Sequence, residues 1–540
     1  METPLTPLEF LRRARRLHGA REAVVDGVQR WTYEAFGDRC DRWSSVLHEM
    51  GVGPGDRVAY IAPNSHAQLE AFYAVPQLGA VLVPLNFRLI AEDFKYLIQH
   101  SGAKVVCASA DYLDAVDAIR ASLPDVTHFV ALDRGGDGQG DDQGGDKPSG
   151  LSKEGWLDYE TLVAAATTRF TPPAIGERDL LTINYTSGTT SRPKGVMITH
   201  RNAWINCVGM LVHTPMTPRD RYLWTLPMFH ANGWTFTWTV TAAGAAHVCL
   251  PKLEAASVFR LVKEERITRM CAAPTVLIML ASAPAELKAG LPRGVGVMTA
   301  GAPPAAVTIE RIEGEMGWTV TQIYGLTETA PAISICEPLP EHDALGGADR
   351  ARIKARQGVE LITSGELRVV DENGREVPAD GASAGEIIAR GNVIMAGYYN
   401  DPDATTKCMG DGWFHTGDAA VVHPDGYVQI TDRLKDVIIS GGENISSVEV
   451  EALLLRHDAI QEAAVVGLPH DKWGEAPHAF VVFKSGQSAD AEALREFCRA
   501  RMAHFKVPHG FTPVAELPKT ATGKIQKYVL RQGRPNITAQ

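Results

Sequence analysis

Short apolar segments alternate with longer amphipathic ones through most of this 540-residue sequence. The short segments have the length of buried strands, and the longer ones have the period of helices that pack on a sheet. Strands separated by helices in this way pair in parallel, with the helices covering the sheet. The pattern therefore predicts an α/β fold. We expect helices at 33–50 and 92–100, and strands at 58–61, 80–83, 104–107, 180–184, 222–226, 247–250 and 296–299.

The pattern changes twice in the second half, which predicts how the chain is divided. Between about 355 and 430, short strands separated by turn signals are typical of a β-rich subdomain. After Arg433, a new set of strands and helices indicates a small α+β domain. We therefore expect a large domain at 1–434, made of parallel α/β sheets plus the β-rich subdomain, and a small mobile domain at 435–540. Residues 135–150 are rich in Gly and Asp, and we expect them to be a disordered surface insertion.

Net charge and apolar content limit the possible partners. With a formal charge of −11, the chain is not expected to bind nucleic acid or an anionic membrane surface. No apolar segment has the length of a transmembrane helix. The eight cysteines are scattered and predict neither a zinc site nor a redox pair. We expect a cytoplasmic enzyme that could form a homodimer, and residues 537–540 do not match a peroxisomal address.

A run of glycines and hydroxyl side chains directly follows the predicted strand at 180–184. Residues 185–195 read Tyr-Thr-Ser-Gly-Thr-Thr-Ser-Arg-Pro-Lys-Gly. Glycines let the backbone approach a ligand closely, while the hydroxyls, the backbone N–H groups and Lys194 offer donors and positive charge to phosphate. The run is not a Walker A loop, because Pro193 and Gly195 stand where Gly and Ser or Thr are required. We predict a phosphate-binding loop; the alternative is a polar surface loop.

Five further segments follow this loop along the chain, and the six together resemble the signatures of the adenylate-forming (AMP-binding) superfamily. That superfamily includes acyl-CoA synthetases, adenylation domains and luciferases. The resemblance covers essentially the whole chain and implies ATP-dependent activation of a carboxylic acid as an acyl-adenylate. The segments are Gly-Ala-Pro-Pro at 301–304, Tyr-Gly-Leu-Thr-Glu-Thr at 324–329, Trp-Phe-His-Thr-Gly-Asp at 413–418, Asp-Arg-Leu-Lys-Asp at 432–436 and Pro-Lys-Thr-Ala-Thr-Gly-Lys at 518–524.

The resemblance implies an ATP site that also holds Mg²⁺. A carboxylate and a phosphate repel each other, so a cation and aimed lysines suit the reaction. Tyr324 could instead be a core tyrosine, Ile430 an ordinary strand residue, and Glu328 an acid at a helix start. The implied contacts are Thr186, Ser187, Gly188, Thr189, Thr190 and Lys194 for the β- and γ-phosphates, Thr327 for the α-phosphate, Gly301, Ala302, Pro303, Tyr324, Gly325 and Ile430 around adenine, Asp418 and Arg433 for the ribose, and Glu328 with Thr186 for Mg²⁺.

The resemblance also implies two working positions of the small domain. Lys524 is implied to neutralise charge between the carboxylate and the α-phosphate during adenylation; a solvated lysine is the alternative. Lys435 falls at the family's hinge position. Rotation there would withdraw Lys524 and bring a glycine-containing segment to the site, leaving a narrow channel for the thiol of coenzyme A. The implied CoA-binding residues are Ser440, Gly441, Gly442 and Glu443.

Residues 227–234, Pro-Met-Phe-His-Ala-Asn-Gly-Trp, resemble the border of the family's acyl pocket. His230 is implied to act beside the substrate carboxylate, with a core-capping histidine as the alternative. Trp234, Phe236 and Trp238 have spacings that suit either a pocket or one core helix. Because most candidates are apolar, we expect a short- or medium-chain fatty acid or an aryl acid. The pocket candidates are His230, Asn232, Trp234, Phe236, Ile323 and Pro331.

Four functions compete. An acyl-CoA synthetase is the first, and an adenylation enzyme that loads a carrier protein is the second. No carrier domain follows Lys524, and residues 352–358 resemble CoA ligases, which favours the first. A luciferase-like oxygenase shares the adenylation motifs. A catalytically silent nucleotide-binding protein is disfavoured because the charged residues of all the motifs are present together.

Overall fold

The computed structural model describes residues 2–132, 153–168, 170–186, 192–440, 443–470, 473–520 and 524–532. Within them, the predicted α/β fold is confirmed. The insertion expected at 135–150 lies outside the described residues. The same holds for several predicted ligand contacts, namely Ser187, Gly188, Thr189, Thr190, Gly441 and Gly442.

The described residues form 26 strands, numbered in chain order. They are β1 Glu22–Asp26, β2 Gln29–Thr32, β3 Arg57–Ile61, β4 Val81–Leu85, β5 Ala103–Ser109, β6 His128–Leu132, β7 Leu157–Asp158, β8 Leu180–Thr186, β9 Lys194–Thr199, β10 Arg221–Leu223, β11 Ala246–Val248, β12 Arg269–Cys271, β13 Gly296–Thr299, β14 Thr319–Gly325, β15 Ala332–Ile335, β16 Val359–Glu360, β17 Glu366–Val370, β18 Ala384–Arg390, β19 Gly397–Tyr398, β20 Phe414–Val422, β21 Val428–Arg433, β22 Ile438–Ser440, β23 Glu443–Ile445, β24 Ile460–His470, β25 Gly474–Phe483 and β26 Gly510–Pro513.

Eighteen helices accompany these strands in the described part of the chain, and none of them has the length and apolar character needed to cross a membrane. They are α1 Leu8–His18, α2 Tyr33–Glu49, α3 His66–Ala74, α4 Ala91–Ser101, α5 Leu113–Asp117, α6 Tyr159–Ala165, α7 His200–His213, α8 Ala231–Trp234, α9 Phe236–Ala243, α10 Ala255–Glu264, α11 Pro274–Ser282, α12 Ala285–Lys288, α13 Ala306–Arg311, α14 Gly347–Lys354, α15 Pro402–Met409, α16 Ser447–Leu454, α17 Ala491–Arg499 and α18 Lys527–Arg531.

Two large, mainly parallel sheets carry most of the chain. One has the order β19-β9-β8-β4-β3-β5-β6-β7, and the other has the order β16-β15-β14-β13-β12-β10-β11-β1-β2. The inner strands of both pair in parallel; antiparallel strands close both ends of the second sheet and the β19 end of the first, whereas β7 at the other end pairs in parallel. Buried aromatic side chains of helices and strands fill the space shared by the two sheets, among them Trp43, Trp224 and Trp238. This shared core fixes the two sheets against each other.

Two smaller sheets follow in the second half. An antiparallel sheet of order β17-β18-β20-β21 forms most of the predicted β-rich region. The last sheet has the order β23-β22-β25-β24, with β26 parallel to β25, and helices α16 and α17 cover it. The sheet changes between Arg433, which ends β21, and Ile438, which begins β22. The division of the chain at residue 434 stays a prediction, although this change of sheet lies beside it.

Local capping explains several helix starts. Thr32 accepts a hydrogen bond from the Ala35 N–H at the start of α2, and Ser65 does the same for Gln68 in α3. Such caps satisfy N–H groups that have no partner inside the helix. Two strands are shorter than predicted, since β10 ends at Leu223 and β11 at Val248. The chain leaves the sheet after β10, because the side-chain amide of Asn64, rather than a neighbouring strand, binds the carbonyls of Trp224 and Leu226.

A buried charge cluster joins the end of β1 to helices α2, α3 and α6. The His66 imidazole contacts Asp26 through Nδ1 at 2.7 Å and Glu160 through Nε2 at 2.9 Å. Arg39 binds both Glu160 and Glu70, the latter through Nε at 2.6 Å. Burial by itself would lower the pKa of His66, but its hydrogen bonds to Asp26 and Glu160 raise that pKa to about 9. The imidazolium therefore compensates carboxylates that would otherwise be buried without enough positive charge.

Replacing this imidazole should change how stability depends on pH. A folded-state pKa raised from 6.5 to about 9 stabilises the fold fully below pH 6.5, and the effect is lost as pH rises through 9. The shift corresponds to about 3 kcal/mol. We expect His66→Gln to lower the melting temperature most near pH 6.5 and least above pH 9. If the melting temperatures of the two proteins differ by the same amount at every pH in this range, His66 is not charged in the fold.

Candidate active site

The predicted adenine-binding residues lie where β13 and β14 end side by side. These strands pair in parallel with Thr299 opposite Gln322, so the segments that follow them leave the same edge of the sheet. Gly301 has a φ of +91°, which favours glycine. Gly325 is even more restricted, since a Cβ there would lie 1.8 Å from the Pro331 carbonyl oxygen. Carboxyl edges of parallel strands are common ligand sites in α/β proteins.

Asp418 connects this edge to the β-rich sheet. Its side chain is buried and accepts a hydrogen bond from the Tyr324 hydroxyl at 2.8 Å. Its other oxygen lies 2.9 Å from Arg433 Nε, and the two residues are cross-strand partners on β20 and β21. Burial and the Asp418 charge raise the pKa of Tyr324 well above its usual value, so the hydroxyl remains a donor. Ile430 lies in the same apolar cluster as Tyr324. The structure thus brings together four residues of the predicted nucleotide site.

Lys524 comes from the far end of the chain into this group. Burial lowers the pKa of its ammonium to about 8; Arg433 and Lys435 lower it further, whereas Asp418 opposes the shift. The charges that act on Lys524 are therefore those of the predicted ribose site and hinge. A solvated lysine would not feel these groups. Lys524 therefore lies within electrostatic range of these residues, and its role in adenylation stays a prediction.

His230 is close enough to Lys524 for the two charges to interact. Burial, followed by repulsion from Lys524, lowers the pKa of His230 to about 4. The imidazole is therefore neutral near pH 7 and can face a carboxylate without competing with the lysine for the role of cation.

The chain just after His230 has an uncommon backbone conformation. Ala231, Asn232, Gly233 and Trp234 have φ values of 35°, 52°, 57° and 51°, so α8 is a left-handed turn. Thr235, with a φ of 66°, extends this turn up to α9. For residues other than glycine, the left-handed conformation costs about 1–2 kcal/mol each. Strain of this kind persists only where the surroundings hold it, and it concentrates at functional sites.

Three buried asparagines, Asn64, Asn184 and Asn232, hold in place the segment around His230, residues 224–232, which we call the His230 segment. Asn64 donates to the carbonyls of Trp224 and Leu226 at 2.8 and 3.0 Å. Asn184, on the strand that leads into the phosphate loop, donates to Asn232 Oδ1 at 3.1 Å. It also lies 3.1 Å from the Phe229 carbonyl. The phosphate-loop strand and the His230 segment are therefore positioned by the same side chains.

The other predicted pocket residues divide into two groups. Trp234, Ile323 and Pro331 are buried near the ends of the segments that carry His230 and Tyr324. Phe236 stacks on Tyr222 with ring centroids 4.9 Å apart, and Trp238 packs edge-on against Phe72. The expectation of one helix carrying Trp234, Phe236 and Trp238 is wrong, because α9 begins at Phe236 and Trp234 belongs to the left-handed turn. Phe236 packs in the core, and its role in a pocket stays a prediction.

The residues implied to hold Mg²⁺ offer oxygen atoms only. Glu328 is half-buried in the connection between β14 and β15, and Thr186 ends β8 with its hydroxyl 3.5 Å from the Lys194 carbonyl. Among the described residues, no group of three or more His, Cys, Asp or Glu side chains could hold a metal ion. One carboxylate and one hydroxyl fit Mg²⁺, which takes its remaining ligands from phosphate and water. These donors therefore fit a cation that arrives with a nucleotide.

The predicted hinge and CoA segment lie between β21 and the last sheet. Ser440 faces Glu443 across the β22–β23 hairpin, and Glu443 is exposed. Asp432, just before the hinge, accepts hydrogen bonds from the Ser447 N–H at 2.7 Å and hydroxyl at 2.6 Å. Lys435 is exposed, and partial burial of its ammonium and the charge of Arg433 lower its pKa. The two bonds to Asp432 join the end of β21 to the start of α16. The hinge at Lys435 and the CoA segment stay predictions.

Two contributors escaped the sequence reasoning. Asn184 reaches its partner Asn232 across 48 residues of sequence. Tyr398, in a segment of turn-forming residues, contacts Glu328. The alternation of buried and polar positions in β8 could have identified Asn184 as a buried polar residue, whereas nothing local distinguishes Tyr398.

Comparison with known proteins identifies the family. A family model described as "AMP-binding enzyme" matches residues 10–399, and one described as "AMP-binding enzyme C-terminal domain" matches residues 449–524. The chain is 41% identical to 4-hydroxybutyrate–CoA ligase 2 of Metallosphaera sedula, over 98% of this chain and 94% of that protein. It is 41% identical to a peroxisomal acetate/butyrate–CoA ligase of Arabidopsis thaliana, with the same coverage.

A solved structure agrees with these relatives. ATP-bound MatB from Rhodopseudomonas palustris superposes with a TM-score of 0.82 at 27% identity, covering 98% of this chain and all of that one. The fold, the gathered site residues and the two matching family models lead to one assignment. The chain belongs to the AMP-binding, adenylate-forming enzymes and, within them, to the acyl-CoA synthetase branch of acid–thiol ligases.

Proposed function

We propose that this enzyme joins a short-chain carboxylic acid to coenzyme A in two steps at one site. In the first step, a carboxylate oxygen attacks the α-phosphorus of ATP, and pyrophosphate leaves. In the second, the CoA thiol attacks the acyl carbonyl, and AMP leaves. One observation carries the proposal: Lys524 lies within electrostatic range of the Asp418–Arg433 pair on the β-rich sheet and of His230, so it is near two other parts of the fold.

The first step requires positive charge between two anions. Lys524 supplies it without acting as a base, because its ammonium stabilises the charge that develops on the α-phosphate oxygens. Asp418 accepts hydrogen bonds from the ribose hydroxyls with its remaining lone pairs. Neutral His230 borders the acid, so the carboxylate meets Lys524 as its nearest cation. Charge compensation and orientation account for this step.

Glu328 and Thr186 would hold Mg²⁺ beside the phosphates. When bound, the cation screens the phosphate charges and stabilises the leaving pyrophosphate. Lys194 and the residues of the phosphate loop bind the β- and γ-phosphates. These residues keep the triphosphate extended, so the pyrophosphate leaves on the side opposite the attacking carboxylate.

The second step needs another position of the small domain. Rotation at Lys435 withdraws Lys524 and brings residues 440–443 to the acyl-adenylate, where two glycines leave space for pantetheine. The names of the relatives favour CoA as the acceptor over a carrier protein, and they favour ligation over a luciferase-like oxygenation. The enzyme therefore uses ATP and CoA as co-substrates.

The relatives also favour a small acid. A 2-methylpropanoate–CoA ligase of Humulus lupulus, 40% identical over 98% of this chain, joins the 4-hydroxybutyrate and acetate/butyrate enzymes. In this chain, the bulky Trp234 and the left-handed turn directly follow His230, which we propose borders the acyl pocket, and their bulk favours a small acid. We place the enzyme in a reducing compartment such as the cytoplasm, since all eight cysteines are free.

Acid-dependent pyrophosphate release tests the proposed reaction. We expect acetate, butyrate, 2-methylpropanoate or 4-hydroxybutyrate to release pyrophosphate at least about tenfold faster than octanoate or benzoate, because one to three kcal/mol separates acids that fit from those that do not. Addition of CoA should then yield the thioester and AMP. If no acid releases pyrophosphate, the proposed function is wrong. If benzoate is preferred, the short-chain assignment is wrong.

The protonation of Lys524 gives a pH test. Its ammonium, with a pKa of about 8 in the free enzyme, is the active form, so activity is expected below that pH and should decline above it. We expect kcat/KM for ATP in acid-dependent pyrophosphate release to fall with one titrating group near pH 8. Lys524→Arg, whose charge persists, should remove this decline. A decline that is unchanged in the arginine variant would assign the titration to another group.

A further inference from the structure

Tyr398 lies between the two charged parts of the phosphate site. Strand β19 pairs antiparallel with β9, with Tyr398 opposite Val196. The next N–H, that of Tyr399, donates to the Gly195 carbonyl at 2.7 Å. Strand β9 begins at Lys194, the lysine of the phosphate loop. The backbone of Tyr398 is therefore fixed against the strand that presents this lysine.

The hydroxyl of Tyr398 contacts Glu328, the negatively charged residue of this site. It donates to Glu328 Oε1 at 2.7 Å. The backbone of the same segment adds a second bond, from the Met395 N–H to the Glu328 carbonyl at 2.8 Å. Glu328 lies in the short connection between β14 and β15 of the other large sheet, so these bonds join β19 of one sheet to a connection of the other. They leave Oε2 of Glu328 for another partner.

The ring of Tyr398 contacts the lysine. Lys194 Nζ lies 4.7 Å from the ring centroid, within the range of a cation–π interaction. A carboxylate and an ammonium in one small site attract each other, and a direct ion pair would withdraw both from a bound nucleotide. Tyr398, which is neutral, instead contacts both groups: its hydroxyl binds the Glu328 carboxylate and its ring lies beside the Lys194 ammonium.

We propose that Tyr398 is a positioning residue that keeps Glu328 directed at a divalent cation and Lys194 directed at the phosphates of the same nucleotide. The inference rests on the proposed function, since it assumes that Glu328 and Lys194 receive a metal–nucleotide complex. The hydroxyl acts on the cation side and the ring acts on the phosphate side. The two contributions can therefore be separated by substitution.

Tyr398→Phe removes the hydroxyl and keeps the ring. We expect Mn²⁺, titrated by electron paramagnetic resonance in the presence of ATP and without acid, to bind about tenfold more weakly to this variant, as the loss of one charge-assisted hydrogen bond predicts. Binding of ATP in EDTA should stay within about twofold of the wild type, because the ring still contacts Lys194. Tyr398→Leu should weaken both.

Tyr399→Phe is the matched control, since that ring points to His100, 5.9 Å away, and it should bind Mn²⁺ and ATP as the wild type does. Melting temperatures show whether each variant is folded. Wild-type Mn²⁺ affinity in Tyr398→Phe overturns the inference and leaves the proposed function intact. Equal loss of Mn²⁺ binding and metal-free ATP binding in that variant also overturns it, because that result indicates a purely structural tyrosine. Failure of the wild type to bind Mn²⁺ with ATP overturns both.

Discussion

The buried carboxylate of Asp418 is the point at which the parts of this enzyme meet. It binds the Tyr324 hydroxyl from one large sheet and Arg433 from the β-rich sheet, and its charge acts on Lys524 from the small domain. A buried carboxylate is costly unless it is paired and hydrogen-bonded. Tyr324 and Arg433 meet that requirement, and with Lys524 they are also the groups that we propose surround a nucleotide. Stability of the domain arrangement and assembly of the site thus depend on the same charge.

In the proposed reaction the small domain takes part in both steps, which requires contacts that hold it firmly in one position and still release it. In the arrangement seen here, Asp432 binds Ser447, and Arg531 lies 2.7 Å from Asp436. Lys524 is half-buried among other cations, and its lowered pKa reports the cost of that position. Binding of a triphosphate offsets this cost, because it adds negative charge beside Lys524. Loss of pyrophosphate removes much of that charge, which favours withdrawal of the lysine before CoA binds.

Much of the fold follows from local pattern. The alternation that predicts strands at 58–61 and 104–107 is matched by β3 and β5, because buried parallel strands leave a clear apolar signature. The predicted strand at 222–226 is too long, since Asn64 binds the carbonyls after Leu223 in place of a neighbouring strand. The left-handed turn after His230 has no local sequence signature, apart from one glycine and one asparagine.

The site residues, like the strands, include some that the sequence predicts and some that it does not. Residues within motifs, such as Tyr324, Asp418 and Lys524, could be assigned from resemblance, and the structure gathers them. Tyr398 and Asn184 could not, because their partners lie 70 and 48 residues away and only the packing of two sheets brings them together. The predicted pocket is the least predictable part, because residues at the same aromatic spacing lie in the core helix at Phe236 and in the left-handed turn at Trp234.

The central claim is that Lys524 acts in the first step and is absent from the second. The most direct measurement compares the two half-reactions in Lys524→Ala and Lys435→Pro: pyrophosphate release from acid and ATP, and thioester formation from supplied acyl-adenylate and CoA. We predict that Lys524→Ala slows the first by more than about 100-fold and largely spares the second, because only the first needs its charge. Lys435→Pro should do the reverse, since it stiffens the hinge. Equal loss of both half-reactions in Lys524→Ala would contradict the account.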